Sequence, residues 1–282
     1  MRRLEALRDD PLAVYDAIVT PKEEPRRSRL RNLRHRVACA YMRYYAHTPA
    51  LHRQRPLGRR IKPDEANDLV YCYTISRRES SAVYNRVYAK ILALSTFCAY
   101  CGIDHATTLD HYLPKDGKRS YPELAILPAN LVPSCGLCNS PGWICNETGL
   151  RALIHPYFDN ICQERLLVAE VSVVGNKLSA EFHIDLSVCS NIEFARLYER
   201  HVSHLGLLKR YSDRAGASDG PLADIVRTIR VWARDRAEVV PLLLKDADSM
   251  ERQLGVNNYK AALRRGAATS PSFVDFCMGS TV

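Results

Sequence analysis

The sequence predicts an α+β protein that is mainly helical, with a small metal-organised centre, N-terminal helices before it and a C-terminal β-hairpin plus helices after it. Three observations carry this expectation. Apolar residues recur at helical spacing on both sides of the centre, two Cys-x2-Cys pairs frame residues 98–138, and two β-prone runs meet at Gly175-Asn176. A chain of 282 residues with 46% hydrophobic and 25% charged residues has the composition of a folded globular protein rather than a disordered one.

Residues 1–96 read as a basic helical region. Leu30, Leu33, Val37, Tyr41, Tyr44 and Tyr45 lie at helical spacing within 29–47, with Arg31, Arg34, Arg36 and Arg43 between them. Further helices are expected at 64–76 and 80–96, the second carrying Val83, Val87, Ile91 and Leu94 on one face. Residues 1–60 hold 15 Lys/Arg against 6 Asp/Glu, and residues 61–282 hold 25 of each, so the whole net charge of +9 lies in the first fifth. Such density attracts polyanions by counterion release, and makes nucleic acid, DNA first, the expected partner, with Arg31 and Arg34 among the contacts. A solvated basic face or an acidic protein partner is the plainer alternative.

Residues 161–282 read as a β-hairpin and helices. The runs 167–174 and 177–185 flank a two-residue turn, and Ile192, Ala195, Tyr198, Val202 and Leu205 return to helical spacing. Helices are expected near 221–237, 239–252 and 257–265, with a loop at 213–220. The charged stretch after Arg2 and Arg3 is unlike a secretory signal, and no run of about 18 apolar residues exists to span a membrane. A cytoplasmic protein with no membrane partner is expected, and in a reducing compartment the paired cysteines favour metal thiolates over disulfides.

Residues 97–160 differ from both flanks. Cys98-x2-Cys101 and Cys135-x2-Cys138 are 33 residues apart, a two-knuckle layout that can give four thiolates to one structural Zn2+. The intervening loop holds Thr108-Leu109-Asp110-His111-Tyr112-Leu113-Pro114 and then Asn130-Leu131-Val132-Pro133. His105 is expected to be an exposed or hairpin residue, and the other cysteines, Cys39, Cys72, Cys145, Cys162, Cys189 and Cys277, to be small apolar ones.

The order of Cys-x2-Cys, Asp-His, Asn-Leu and Cys-x2-Cys-Asn resembles the HNH endonucleases of the His-Me finger superfamily, in the branch whose ββα-metal motif is pinned by a four-cysteine zinc. The resemblance is confined to residues 97–160 and implies a phosphodiester hydrolase. By it, His111 is the general base and Asp110 a ligand of the catalytic Mg2+ or Mn2+; Asn139 completes that metal site and Asn130 braces the loop. These residue types suit the chemistry. A hard cation held by oxygen donors neutralises charge building on the phosphoryl group, and a neutral imidazole is a base near physiological pH.

The match departs from the family after Asn139, where Pro141-Gly142 should stop the expected short helix. Asn139, Asn146 and His155, the last within Leu153-Ile154-His155-Pro156-Tyr157-Phe158-Asp159, all remain candidates for the third metal ligand. Lys115, Lys118 and Arg119 follow the base and are candidate phosphate contacts. A looser likeness to HNH subunits of bacterial anti-phage systems of the Septu type implies an ATPase partner, since no Gly-rich phosphate loop ending in Lys-Ser/Thr occurs here. Two other functions share these features: a non-catalytic zinc module binding nucleic acid or protein, and an RNase or structure-specific nuclease using the same site.

Overall fold

The computed structural model describes residues 2–78, 81–117, 119–139, 144–145 and 148–279. Among the described residues the chain is α+β, about 51% helical, with two two-stranded antiparallel sheets. It divides into two compact units, one of Arg3–Tyr100 and Asp104–Asp159, the other of Met1–Arg2, Cys101–Ile103 and Asn160–Val282. Each unit is described by itself.

The first unit opens with α1 (Pro11–Val19), where Asp10 accepts from the Leu12 N–H at 3.0 Å and Pro11 occupies the first helical position. The basic amphipathic segment forms α2 (Arg26–Ala46) and buries Leu30, Leu33, Val37, Ala40, Tyr41 and Tyr44. Part of its charge is paired with carboxylates. Arg26 and Arg29 both reach Asp68 at 2.7 Å, and Arg34 grips Asp16 through two bonds of 2.8 Å. Helix α3 (Pro63–Ser76) starts at Pro63 with Glu65 reaching back to the Lys62 N–H, and it turns Leu69, Cys72 and Tyr73 inward.

The helix expected over 80–96 is narrower among the described residues: a π-helical turn at Tyr84–Tyr88 runs into the single turn α4 (Ala89–Leu92). Val87 and Ile91 are its buried residues from the expected face. Strands β1 (Thr108–His111) and β2 (Leu131–Ser134) pair antiparallel, with Asp110 opposite Val132 and His111 opposite Leu131. Every residue of β2 is buried, whereas in β1 Leu109 is buried and Thr108, Asp110 and His111 keep partial exposure.

The second unit is built on β3 (Leu167–Val174) and β4 (Lys177–Ile184), paired from Leu167↔Ile184 to Val174↔Lys177. Gly175 has φ 57° at the first turn position, the glycine-first pattern of a type II′ turn. Alternation along β3 buries Leu167, Ala169, Val171 and Val173. Helices follow as α5 (Ile192–His204), α6 (Leu207–Ala215), α7 (Pro221–Trp232), α8 (Arg236–Leu254), α9 (Tyr259–Ala268) and α10 (Pro271–Cys277). Helix α6 covers part of the stretch expected to be a loop, which begins only after Ala215.

Helix α9 lies along β3 and α6 along β4, with Tyr211 stacked on Tyr259 at 5.0 Å. The close approach of α9 requires a glycine: a Cβ on Gly266 would sit 2.1 Å from the Ala169 carbonyl oxygen. Gly266→Ala should therefore lower the denaturant midpoint by a stability loss of about 1–3 kcal/mol or more. An unchanged midpoint in chemical denaturation would contradict the α9–β3 packing.

Candidate active site and metal centre

A hairpin leads into the site. Phe97 and His105 form a bridge, the Cys98 N–H donates to Asp104 O at 2.8 Å, and the Ala106 N–H to Thr96 O at 3.0 Å. His105 is exposed there, its ring stacked on Phe97. At the tip Gly102 takes φ 66°, a left-handed angle that suits glycine. The second turn closes through Cys135 O, which accepts from the N–H groups of Cys138 at 3.2 Å and Asn139 at 3.1 Å.

Cys98, Cys101, Cys135 and Cys138 are all buried, and their sulfurs lie within 4.8 Å of one another. A tetrahedral zinc with Zn–S bonds of about 2.3 Å needs sulfurs roughly 3.8 Å apart, so the cluster suits a structural metal such as zinc. Four thiolates would fill all four tetrahedral positions of such an ion, the donor set of a structural metal rather than a catalytic one.

Strand β1 carries the Asp-His pair. Thr108 and Asp110 share one face by strand alternation. The Tyr100 hydroxyl donates to Asp110 Oδ2 at 2.9 Å. Burial pushes the Asp110 carboxyl up to about 6, against the opposing pull of the Tyr100 hydroxyl and the His111 N–H. His111 is drawn the other way: burial holds its imidazole down to about 4, although Ala125 O favours the charged form. Both side chains keep a strip of exposed surface while sitting deep among protein atoms.

The hydrogen bond of His111 fixes its tautomer. Nε2 lies 2.9 Å from Ala125 O. A carbonyl can only accept, so Nε2 carries the hydrogen and Nδ1 keeps its lone pair. The ring packs edge-on against Tyr73 at 4.4 Å, and the Tyr73 hydroxyl donates to Leu109 O at 3.3 Å.

Asn130 is fully buried and spans the loop between the strands. Its Oδ1 accepts from the Leu113 N–H at 2.8 Å, and its Nδ2 donates to Leu113 O at 3.0 Å and Leu124 O at 3.3 Å. Asn139 is exposed, and its Nδ2 donates to Thr108 Oγ1 at 2.6 Å, which ties it to the strand face that bears Asp110.

His155 has a different position from that of a metal ligand. It is fully buried, Nδ1 accepts from the Tyr157 N–H at 3.3 Å, and Nε2 is 2.9 Å from the Tyr44 hydroxyl, which in turn donates to Ala129 O at 3.1 Å. With both ring nitrogens bonded inside a cluster of Tyr44, Tyr112, Tyr157 and Phe158, it is a packing residue. Asp159 closes the same segment by accepting from the His155 N–H at 2.7 Å and from Arg151 at 2.9 Å.

Two expected phosphate contacts are also committed elsewhere. Arg119 donates to His52 O, Gln54 O and the Tyr121 hydroxyl, and Arg34 pairs with Asp16. Arg31 is exposed, and Lys115 pairs with Asp116. Lys118, Asn146 and the Pro141-Gly142 step lie outside the described residues, as does the stretch where a helix after Asn139 would run.

Over 124 residues the chain is 31% identical to Protein ea31 of Escherichia phage lambda, covering 42% of this chain and 40% of that protein. The chain thus spans about two fifths of the length of the curated relative it matches. No family model matches the chain, and no solved structure matches it. Among the described residues, no helix is long and apolar enough to cross a membrane.

The sequence left out three neighbours of the pair. Tyr100 lies between the first two cysteines, where the spacing draws notice to the thiols alone. Tyr73 sits on the inward face of a helix expected from periodicity, and only the fold brings it to His111. Arg77, just past α3, is exposed with its guanidinium 5.6 Å from the Tyr73 ring centre, and its charge is one that lowers the His111 pKa.

Zinc analysis separates the framework from the Asp-His pair. Cys101→Ser and Cys135→Ser should each lose one zinc equivalent relative to wild type and fold in lower yield, while Asp110→Ala keeps the wild-type zinc content. Equal loss in all three would make Asp110 part of the thiolate site.

Proposed function

We propose that the protein is a metal-dependent endonuclease of the HNH (ββα-metal) type that hydrolyses phosphodiester bonds, with DNA as the expected substrate. The observation that carries this is the presentation of His111: neutral, with Nε2–H bonded to Ala125 O and Nδ1 left as the acceptor, on the residue next to a buried carboxylate. A structural zinc module has no need of such an arrangement.

The donor types proposed to act with His111 suit a hard divalent cation. Asp110 offers carboxylate oxygen, and Asn139, whose amide nitrogen is committed to Thr108, has its amide oxygen to offer. A Mg2+ or Mn2+ ion held by these two would neutralise charge on the phosphoryl oxygens and the leaving oxygen. His111 Nδ1 takes a proton from the attacking water, and Nε2–H stays bonded to Ala125 O throughout. A pKa of about 4 describes the site without substrate; a phosphodiester brings negative charge beside the ring and raises its basicity. Lys115 and Arg77, whose charges both bear on the ring, are the basic side chains assigned to that phosphate. The looser likeness to anti-phage subunits adds an ATPase partner to this proposal.

The test is incubation of wild type and His111→Ala with plasmid, linear duplex, single-stranded DNA and RNA in Mg2+, Mn2+ or EDTA. Cleavage that needs the cation and falls about 100-fold or more in the variant supports the proposal. Equal cleavage by both proteins, or none of any substrate, contradicts it; RNA cut in preference to DNA would reassign the substrate. The pH dependence follows from Asp110. Its carboxyl must be ionised to hold a cation, so the rate should fall as pH drops through about 6, and higher Mg2+ should move that midpoint down by competing with the proton. His111, already neutral above about 4, contributes no loss in that window.

A further inference from the structure

The second unit holds another set of metal-type donors. The β3–β4 ladder continues one step beyond Leu167↔Ile184, because the Asp185 N–H donates to Leu166 O at 2.8 Å. The segments entering and leaving the hairpin therefore run side by side. Cys162 and Glu164 precede it, Cys189 follows it, and the two sulfurs and a Glu164 carboxylate oxygen lie within 4.8 Å of one another. Sequence spacing gave no hint of this pair, since 26 residues separate the two cysteines and the hairpin alone joins them.

The three groups are held in place individually. Glu164 Oε1 accepts from the Ser190 hydroxyl at 2.6 Å and the Ser190 N–H at 3.3 Å, which draws the carboxylate to the Cys189 side. Cys189 Sγ is 3.3 Å from Asn191 O, and Asn191 caps α5 through the Phe194 N–H at 3.1 Å. Asn257, 3% exposed, accepts from the Leu167 N–H at 3.0 Å, donates to Glu164 O at 2.9 Å and reaches Cys162 Sγ at 3.9 Å. A buried amide thus fixes the backbone of the first ligand segment and touches its sulfur. Such support from the surrounding shell is what a metal ligand set requires.

We propose that Cys162, Cys189 and Glu164 form a second transition-metal site of the Cys2Glu type, suited to Zn2+, separate from the four-cysteine cluster. Two thiolates and a carboxylate repel one another when ionised, and a divalent cation among them reverses that sign. The bond lengths of about 2.3 Å for Zn–S and about 2.0–2.2 Å for Zn–O suit groups gathered this closely. Three protein donors leave one tetrahedral position for water or an incoming donor. All three residues are half-buried, so the position is reached from solvent, in contrast to the closed four-cysteine cluster.

The test compares the full chain with Cys162→Ser/Cys189→Ser and with Glu164→Gln, each stripped of metal under a phosphine reductant and reloaded with Zn2+ or Co2+. Wild type should bind one zinc more per chain than the double variant, whatever the occupancy of the four-cysteine cluster. Glu164→Gln, a substitution at a solvent-reached side chain, should weaken that extra zinc at least about 10-fold. The extra equivalent should persist in Cys98→Ser, and its Co2+ form should absorb as a two-thiolate complex. Equal metal content in wild type and the double variant overturns the proposal. So does a Cys162–Cys189 disulfide, detected as thiols that resist alkylation until reduced, with no difference in metal content. If the double variant does not fold, wild-type zinc affinity in Glu164→Gln overturns it alone.

Discussion

The amide of Asn130 closes the loop that meets the pair on β1. Its three hydrogen bonds to Leu113 N, Leu113 O and Leu124 O close the loop between β1 and β2 on itself with no solvent to share the load. The closed loop carries Ala125 to the position where its carbonyl meets His111 Nε2. The tautomer of His111, and hence which nitrogen it presents, follows from a buried amide 19 residues further along the chain. Removing one partner from such a network leaves buried polar groups unsatisfied, at about 1–3 kcal/mol each. Phenols pin the same loop and strand from outside: Tyr112 OH donates to Leu153 O at 2.8 Å, and Tyr157 OH to Leu131 O at 2.7 Å.

Burial shifts Asp110 and His111 in opposite directions, and in both cases toward the neutral form. Protein groups near the pair partly offset this for the carboxylate, which Tyr100 assists, and for the ring through Ala125 O, whereas Lys115 and Arg77 reinforce it by making a charged imidazole harder to form. On the proposed function this is a site whose charges are completed by its ligands. A cation would stabilise the Asp110 carboxylate, and a phosphodiester would restore basicity to the ring.

The chain's periodic and paired signals were legible. Alternation around Gly175-Asn176 marks the β3–β4 hairpin, and the two Cys-x2-Cys pairs mark a cluster that the fold does gather. Helices without a long periodic face were missed: α1, α6 and α10 are each nine residues or fewer, and the signals of α1 and α10 are a side-chain cap and a first-turn proline. Charge counting located the basic excess but not its pairing, because sequence shows Arg26, Arg29 and Arg34 without the Asp68 and Asp16 folded against them. His155 was legible as a histidine near a proline-fixed turn, yet its two nitrogens are spent on Tyr157 and Tyr44, partners that only tertiary structure supplies. Tyr73 and Tyr100 were silent for the same reason, as was the pairing of Cys162 with Cys189.

The most direct measurement of the central claim is the protonation state of His111 by long-range proton–nitrogen correlation NMR on selectively labelled protein across pH 4–8. The structure predicts the Nε2–H tautomer with an unprotonated Nδ1 and no titration above about pH 5, since burial holds the ring near 4. A hydrogen on Nδ1 would contradict it and leave the ring without the presented lone pair that a general base needs, and a midpoint at the ordinary histidine value of about 6.5 would contradict the burial that holds the ring neutral.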